Sequence, residues 1–257
     1  MIGVFDSGLG GLSVVREVLR LDPHAHILYL GDRHWAPYGE RSLGDLRDRS
    51  VSITRHLLAS GADTVAIACN TASAAALDHL RATFPDTVFV GMEPAVKPAV
   101  GLTKSGVIGV LATPATFQGT LFASVVDRFA DAVEVIAQPC PGWVGLVEEG
   151  AQASQVRTAV QTLLDPVLDA DADVLVLGCT HYPFLIDHIR AVAGPDVLIV
   201  DPSEAVARQI LRTAVPDSRA GIRIQVTGPA DGVSERVLRL TGLDHPTESV
   251  TFEHRAS

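Results

Sequence analysis

Short apolar runs rich in β-branched residues recur along the 257-residue chain, and longer segments with helical spacing separate most of them. Such runs are typical of buried strands. Helices are predicted between them, for example over residues 42–60 and 155–168. This alternation is typical of a parallel sheet with helices on both faces, so the predicted class is α/β. The predicted strands are residues 2–5, 27–30, 64–68, 88–90, 107–111, 133–136, 174–177, 197–200 and 222–226.

A weak internal repeat divides the chain into two similar halves. Residues 62–69 resemble residues 172–179 at an offset of 110 positions, and each segment ends in a cysteine. The first strand has a counterpart at residues 107–111, at a nearly equal offset of about 106. The repeat therefore extends over more than one motif.

Each half is predicted to form a small doubly wound parallel-sheet domain. Breaks in the pattern predict one domain from residues 1–92 with 208–257 and a second from residues 93–207. Ligands of such sheets bind beyond the carboxyl ends of the strands. Because equivalent strands end at Cys69 and Cys179, we expect the active site to lie in the cleft between the two domains.

The composition excludes several classes of partner. A formal net charge of −10 leaves no basic surface for nucleic acid or an anionic membrane. A small anionic substrate stays compatible with it, because backbone N–H and hydroxyl groups bind carboxylates. No apolar run approaches the roughly 20 residues that span a bilayer, and no secretion signal is recognised at the start of the chain. We therefore expect a cytoplasmic protein.

The chain has three cysteines and two lysines, and their positions bear on cofactors. Cys69, Cys140 and Cys179 are widely spaced, so neither a disulfide framework nor a metal site is expected. Cys140, flanked by two prolines, is interpreted as structural. A pyridoxal cofactor needs a Schiff-base lysine, and neither Lys97 nor Lys104 lies in a motif for one. No cofactor is predicted.

Two thiols at equivalent strand ends point to proton transfer. One such cysteine is usually a small buried hydrophobe, but Cys69 and Cys179 are both followed by polar residues. Inversion of an α-carbon needs one group to remove a proton from one face and another to deliver a proton to the other. A thiolate and a thiol exchange these roles. His181 is placed to tune Cys179, the alternative being an ordinary hydrogen-bonded histidine.

A glycine-rich turn follows the first predicted strand. The segment Asp-Ser-Gly-Leu-Gly-Gly at residues 6–11 does not match the dinucleotide-binding fingerprint, because Ser13 stands where the third glycine is required. A plain turn capped by Asp6 or Ser7 remains an alternative to a functional role.

Seven motifs in order carry a resemblance: FDSGLGGL, PYGERS, ACNTAS, MEPAVKPA, LATPATF, LVEEG and GCTHYP. Together they extend through almost the whole chain and resemble the glutamate racemases of the aspartate/glutamate racemase superfamily. The resemblance implies an isomerase that interconverts L- and D-glutamate by two-thiol proton transfer, without a cofactor or a metal. It also implies a supply of D-glutamate for peptidoglycan synthesis, and hence a role in cell wall biogenesis and cell shape.

The resemblance assigns substrate contacts near the first thiol. It implies that Asp6 and Ser7 contact the substrate ammonium group and that Asp6 helps to orient the thiol. It implies that Asn70, Thr71 and Thr180 hold the α-carboxylate.

Two further segments receive expected roles from the resemblance. Pro37, Tyr38 and Gly39 resemble the loop that receives the side-chain carboxylate, and the alternative is a plain turn. Thr113 and Thr116 resemble further hydroxyl donors of the site, and the alternative is helix capping.

Around the second thiol the resemblance implies a catalytic role for His181, which also contacts the substrate. It implies an acid role for Glu148, with a solvated helix face shared with Glu149 as the alternative. Cys69 is expected to deprotonate D-glutamate and Cys179 to deprotonate L-glutamate.

The sequence departs from the family at residues 34–35 and 142–145, which puts the substrate range in question. The alternatives are an aspartate or related amino-acid racemase, and a non-catalytic glutamate-binding sensor with the same fold. Members of the family are often dimers, so a homodimer is also expected.

Overall fold

The computed structural model describes residues 1–118, 120–129 and 133–251. The chain divides into two compact units. Unit 1 is formed by Met1–Met92 with the chain from Ser203 onward, and unit 2 by Glu93–Pro202.

Strands and helices alternate along both units. The strands are β1 (Ile2–Asp6), β2 (His26–Gly31), β3 (Thr64–Ile67), β4 (Val88–Val90), β5 (Val107–Ala112), β6 (Glu134–Pro139), β7 (Val174–Leu177), β8 (Leu198–Val200), β9 (Gly221–Thr227) and β10 (Thr247–Val250). The α-helices are α1 (Leu12–Leu21), α2 (Leu43–Ala59), α3 (Asn70–Thr83), α4 (Val96–Val100), α5 (Pro114–Gln118), α6 (Thr120–Phe129), α7 (Trp143–Glu149), α8 (Ala153–Asp169), α9 (Ile186–Ala193), α10 (Ser203–Thr213) and α11 (Val233–Thr241). Short 3-10 helices occupy Tyr38–Glu40 and Tyr182–Leu185.

The described strands of unit 1 form a parallel sheet in the order β10-β9-β2-β1-β3-β4. Neighbouring side chains of a strand point to opposite faces, and Val4 and Phe5 of β1 are both fully buried. Both faces of the sheet are therefore covered. Helix α2 packs on α3, and α1 packs on α10 and α11.

Unit 2 repeats the central topology of unit 1. Its described strands pair in parallel in the order β6-β5-β7-β8, which corresponds to β2-β1-β3-β4. Phe5 pairs with Ile67 between β1 and β3, and Leu111 pairs with Leu177 between β5 and β7. These pairs are related by the two offsets of the sequence repeat. The predicted α/β class with two similar parallel-sheet domains is confirmed.

In each unit, an aspartate just before the third strand accepts hydrogen bonds from the segment that precedes the first strand. Asp63 accepts a hydrogen bond of 2.7 Å from the Met1 nitrogen. Asp173 accepts bonds from the Thr103 hydroxyl at 2.6 Å and from the N–H groups of Lys104 and Ser105 at 2.7 and 3.0 Å. Desolvation acts to raise the pKa of Asp173, but these hydrogen bonds prevail and lower it to about 2.

The chain passes from unit 2 back to unit 1 between Pro202 and Ser203. Residues 203–207 begin α10, which packs on α1 and buries Ala207 and Ile210. At the helix start, the Ser203 hydroxyl donates to the Ser13 hydroxyl of α1 at 3.5 Å. The apolar face of α10 therefore assigns these residues to unit 1.

Strand β10 is absent from the predicted strands. Its sequence, Thr-Glu-Ser-Val, contains one aliphatic residue, and among the described strands it pairs with β9 alone, at the edge of the sheet. An edge strand buries little of its surface, so it carries no apolar run. Among the described residues, no helix is both long enough and apolar enough to cross a membrane.

Candidate active site

In each sheet, the second strand lies on one side of the first strand, and the third and fourth strands lie on the other side. The strand order therefore has a switch point between β1 and β3 in unit 1 and between β5 and β7 in unit 2. In open parallel sheets, ligands bind at the carboxyl ends of strands at such a switch point. Asp6 and Ser7 stand at the end of β1, and Cys69 follows β3. In unit 2, Thr113 follows β5 and Cys179 follows β7.

Cys69 caps helix α3 with its own sulfur. The residue has extended backbone angles, and its Sγ accepts a hydrogen bond of 3.5 Å from the N–H of Ala72. The positive end of the helix dipole lies at this terminus and stabilises negative charge on a capping group. The sequence places a thiol where Ser or Asp is the usual cap.

A short chain of hydrogen bonds leads from Cys69 to Asp6. The thiol donates to the Ser7 hydroxyl at 3.8 Å, and Ser7 donates to Asp6 Oδ1 at 3.5 Å. The other carboxylate oxygen, Oδ2, accepts from the N–H groups of Gly8 and Gly11 at 3.4 and 2.8 Å. Asp6 is fully buried. It therefore holds the glycine turn, as the turn interpretation expects, and also accepts from Ser7, whose hydroxyl accepts from the thiol.

The glycine at position 11 is required by this packing. A Cβ atom there would lie 2.8 Å from the Cβ of Asp6 and 2.9 Å from that of Ala68. Both neighbours are buried strand-end residues that cannot move aside. Gly11 thus brings the turn close to the residue that precedes Cys69.

The Asn70 side chain is a buried polar group that follows Cys69. It is 4% exposed, and neither its oxygen nor its nitrogen has a hydrogen-bond partner among the described residues. Such a group costs free energy unless something pairs with it. Thr71, the next residue, is half-buried. The amide stands directly after Cys69, where a ligand carboxylate would supply the missing bond.

The loop at Pro37, Tyr38 and Gly39 has a buried centre and exposed edges. Pro37 and Gly39 are exposed, whereas Tyr38 is buried and its hydroxyl donates to Asp32 Oδ2 at 2.7 Å. Burial, followed by the Asp32 charge, raises the pKa of Tyr38 well above its ordinary value. The phenol therefore stays neutral.

A buried ion pair that the sequence reasoning missed supports this loop. The Asp32 carboxylate at the end of β2 accepts bonds from Arg49 Nε at 2.8 Å, from Arg49 Nη2 and from the Thr227 hydroxyl at 2.7 Å. Asp32 is fully buried and Arg49 nearly so. The signal in the sequence was a charged residue, Arg49, on the apolar face of α2.

In unit 2 a different set of groups serves the thiol. Cys179 Sγ lies 3.8 Å from His181 Nδ1, and His181 Nε2 lies 2.9 Å from Glu148 Oε1. A carboxylate accepts hydrogen bonds only, so the proton between His181 and Glu148 belongs to Nε2. Glu149 is exposed, whereas Glu148 is half-buried. The solvated-face interpretation therefore applies to Glu149 and not to Glu148.

The remaining predicted residues of unit 2 lie near the same strand ends. Thr113 and Thr116 bracket the start of α5, with their hydroxyls 3.0 Å apart, an arrangement that also fits capping. Thr180 is buried beside Cys179. Cys140 is buried, its thiol donates to the Gln138 carbonyl at 3.4 Å, and burial raises its pKa far above the ordinary value. This setting agrees with a structural role.

The relation to known proteins follows from three comparisons. The family model described as Asp/Glu/Hydantoin racemase matches residues 12–210. The chain belongs to the Asp/Glu/Hydantoin racemase family.

Relatives of this racemase include a glutamate racemase of Ectopseudomonas mendocina, 51% identical over 212 residues, which are 82% of this chain and 81% of that protein. The solved structure of glutamate racemase isoform RacE1 from Bacillus anthracis superposes with a TM-score of 0.87 at 28% identity, covering 98% of this chain and 97% of that one. Escherichia coli glutamate racemase, in complex with L-glutamate and the activator UDP-MurNAc-ala, superposes with a TM-score of 0.83 at 31% identity, covering 96% of each chain.

The two units of the racemase are asymmetric at equivalent positions. Where unit 1 has Asp6, unit 2 has Ala112, and where unit 2 has His181, unit 1 has Thr71. The relay groups therefore come from different places in the two units: Asp6 ends the first strand of unit 1, whereas His181 follows the third strand of unit 2 and is joined by Glu148 of α7. Among the described residues, no three His, Cys, Asp or Glu side chains cluster in a way that could bind a metal.

Proposed function

We propose that this racemase interconverts L- and D-glutamate with Cys69 and Cys179 as its acid/base pair. The observation that carries the proposal is the duplication of a thiol at the end of the third strand of each unit. Each thiol is hydrogen-bonded to its own relay, Ser7 and Asp6 for Cys69, His181 and Glu148 for Cys179. The relative at 51% identity, a glutamate racemase, supports the choice of substrate.

The reaction needs one thiolate and one thiol at the start. The thiolate removes the α-proton, so an S–H bond forms as the C–H bond breaks, and the electron pair stays on the α-carbon. The other thiol then delivers its proton to the opposite face and becomes the thiolate. Cys69 deprotonates D-glutamate and Cys179 deprotonates L-glutamate. The second relay stabilises the Cys179 thiolate when His181 is protonated, as charged imidazole partners do for other reactive thiols.

The α-amino and α-carboxylate groups are proposed to bind beside the thiols. Asn70, whose buried amide has no protein partner among the described residues, supplies bonds to the α-carboxylate together with Thr71 and Thr180. Ser7 is partly exposed and Asp6 is buried, so Ser7 meets the ammonium group while Asp6 supplies the balancing charge behind it.

The other end of the substrate is proposed to lie against the loop of unit 1. Pro37 and Gly39 are exposed there, and Tyr38 fixes the loop through its bond to Asp32. Thr113 and Thr116 provide further hydroxyl groups from unit 2. His181, nearly fully buried, contributes to substrate binding in addition to its relay role.

The cellular role is proposed to be the supply of D-glutamate for peptidoglycan, and so for the cell wall and cell shape. The three described cysteines are free thiols. A mechanism that depends on two thiols requires a reducing compartment, which favours the cytoplasm. The proposed assembly is a homodimer, as the resemblance implies.

The test is racemisation of D-glutamate by the purified protein without added cofactor, in deuterated water. Loss of optical rotation, with solvent deuterium at the α-carbon of the L-glutamate formed, is the expected result because one residue removes the proton and another replaces it. Retention of the original hydrogen in early product would contradict the two-thiol mechanism. Turnover of aspartate in preference to glutamate would assign the protein to the neighbouring activity. Glutamate binding without either change would make it a sensor.

A further inference from the structure

Helix α7, which carries Glu148, is too short to be stable without contacts to the rest of unit 2. It has seven residues, from Trp143 to Glu149. Its two cap residues are Gly142 and Gly150, with φ angles of 82° and 72°. Both glycines are left-handed, a conformation that other residues rarely adopt. Isolated helices shorter than about 12 residues are marginal in water. The position of α7 must therefore come from its side chains.

Two side chains dock α7 on the segment that follows Cys179. Trp143 packs its ring edge-to-face on Tyr182, with centroids 5.0 Å apart and an interplanar angle of 66°. Five residues on, Glu148 meets His181. The two ends of α7 thus contact two consecutive residues, Trp143 at its start contacting Tyr182 and Glu148 near its end contacting His181.

Tyr182 is itself fixed to the sheet. It is fully buried, and its hydroxyl donates to the Cys140 carbonyl at 3.2 Å. The Cys140 N–H donates to the carbonyl of Ala112, the last residue of β5, at 2.8 Å. A continuous path of contacts therefore leads from the central strand of unit 2 through Tyr182 to Trp143.

Trp143 acts through the area and shape of its ring. The side chain is fully buried, yet the indole Nε1 has no hydrogen-bond partner among the described residues. An unpaired buried N–H costs about 1–3 kcal/mol. The ring contact with Tyr182 is worth about 0.5–1.5 kcal/mol beyond the area it buries. A phenylalanine would keep the ring contact and lose the unpaired donor.

We propose that Trp143 is a positioning residue for the Cys179 relay: by docking α7 on Tyr182, it holds the Glu148 carboxylate against His181 Nε2. His181 Nδ1 then faces the sulfur of Cys179. The contact through which Trp143 acts is the one with the Tyr182 ring. The catalytic part of this inference rests on the proposed function, whereas the Glu148 to His181 contact is a property of the fold and can be measured without catalysis.

The experiment compares Trp143→Leu and Trp143→Phe with Phe122→Leu as the matched control. Phe122 forms another edge-to-face pair of unit 2, with Phe117 at 4.8 Å, and packs against a core cluster whose described members include neither His181 nor Glu148. The structural readout is the His181 Nε2–H proton in NMR, assigned by its disappearance in His181→Gln. Exchange of this proton with solvent is expected to become about tenfold faster in Trp143→Leu, because its acceptor moves away. Trp143→Phe and Phe122→Leu should leave the exchange near the wild-type rate.

The kinetic readout uses glutamate with a leaving group on its β-carbon, which is lost once the α-proton is removed. Trp143→Leu should slow elimination from the L-enantiomer, which Cys179 deprotonates, by about tenfold, and leave elimination from the D-enantiomer within about threefold. Trp143→Phe should restore the L-specific rate.

Wild-type exchange of the His181 proton in Trp143→Leu, with a lower Tm like that of Phe122→Leu, would show that Trp143 only packs the core and would overturn the inference. So would faster exchange with equal losses for both enantiomers. If the wild-type protein shows no racemisation, the proposed function fails, and the exchange experiment still decides whether Trp143 places Glu148. Should Trp143→Leu not fold, Trp143→Met fills more of the space and allows the same comparison.

Discussion

Cys69 and Cys179 follow equivalent strands, but the groups that hydrogen-bond to the two thiols differ. Cys69 caps a helix and reaches a carboxylate through a hydroxyl, whereas Cys179 reaches a carboxylate through an imidazole. A helix terminus stabilises an anion without a titrating partner, while an imidazole also carries a proton. The two thiols therefore have different hydrogen-bonding surroundings, although the proposed reaction requires the same two roles of each.

Asp32 and Arg49 form the buried ion pair beneath the Tyr38 loop, and this pair allows a prediction about stability. Replacing one partner leaves the other charge buried and unpaired, which costs about 3–5 kcal/mol. Arg49→Met is therefore expected to lower the free energy of unfolding, measured in urea, by this amount.

The control for this prediction is Arg55→Met, because Arg55 lies on the same helix and is exposed. It should change the stability by less than about 0.5 kcal/mol. The double variant Asp32→Asn with Arg49→Met should recover part of the loss. Equal effects of Arg49→Met and Arg55→Met would show that the buried pair contributes no more than an exposed arginine.

At the scale of elements, both units use one aspartate to anchor the start of the first central strand. Asp63 and Asp173 are related by the repeat offset, and each bonds to the segment that precedes β1 or β5. These hydrogen bonds lie at the end of each sheet opposite the thiols. They help to fix the register between the first and third strands of each unit.

The variant Asp173→Asn tests the contribution of these hydrogen bonds to stability, which is expected to depend on pH. The folded pKa of Asp173 lies at about 2, below its ordinary value of 3.8, so the stabilisation is fully present above that value and is lost as the pH falls towards 2. The variant should be about 1 kcal/mol less stable than wild type near neutral pH, a value reduced for solvent exposure. The difference should shrink steadily below pH 4 in denaturant titrations. Asp169→Asn, at an exposed position on α8, is the control. A difference that does not depend on pH would rule out the carboxylate charge as its cause.

At the scale of the whole molecule, one fold unit is used twice and each copy supplies a thiol. Racemisation alone cannot assign the thiols to enantiomers, because two enantiomers have equal free energies and kcat/KM is the same in both directions. Partial reactions separate them, since elimination of a β-leaving group needs only the first proton transfer.

Cys69→Ser and Cys179→Ser are each expected to reduce racemisation by roughly a hundredfold or more, because a hydroxyl is a far weaker base than a thiolate at neutral pH. Cys69→Ser should still eliminate from the L-enantiomer, and Cys179→Ser from the D-enantiomer. Cys140→Ser, which leaves both proposed thiols in place, is the control for changes at a cysteine and should racemise at a rate far above either. If both thiol variants process both enantiomers equally, the assignment to faces is wrong.

The sequence by itself determined the α/β class, most strands, the repeat and the two thiols. These follow from local rules: apolar runs of three to five residues identify buried strands, and motifs that occur in the same order as in the family carry the resemblance. The prediction failed where the signal was not local. Strand β10 forms by pairing with β9 and not through its own apolar content.

Only the tertiary structure decided which polar groups meet. Asp32 and Arg49 are 17 positions apart and Asp32 and Thr227 are 195 apart, yet they share one buried network. Glu148 and His181 lie 33 positions apart, and the choice between Glu148 and Glu149 depended on which face of α7 turns inward. Hydrophobic periodicity can show that a polar residue such as Arg49 lies on an apolar face, but it does not identify the partner, because the free energy that buries a polar group comes from groups that the chain brings near only on folding.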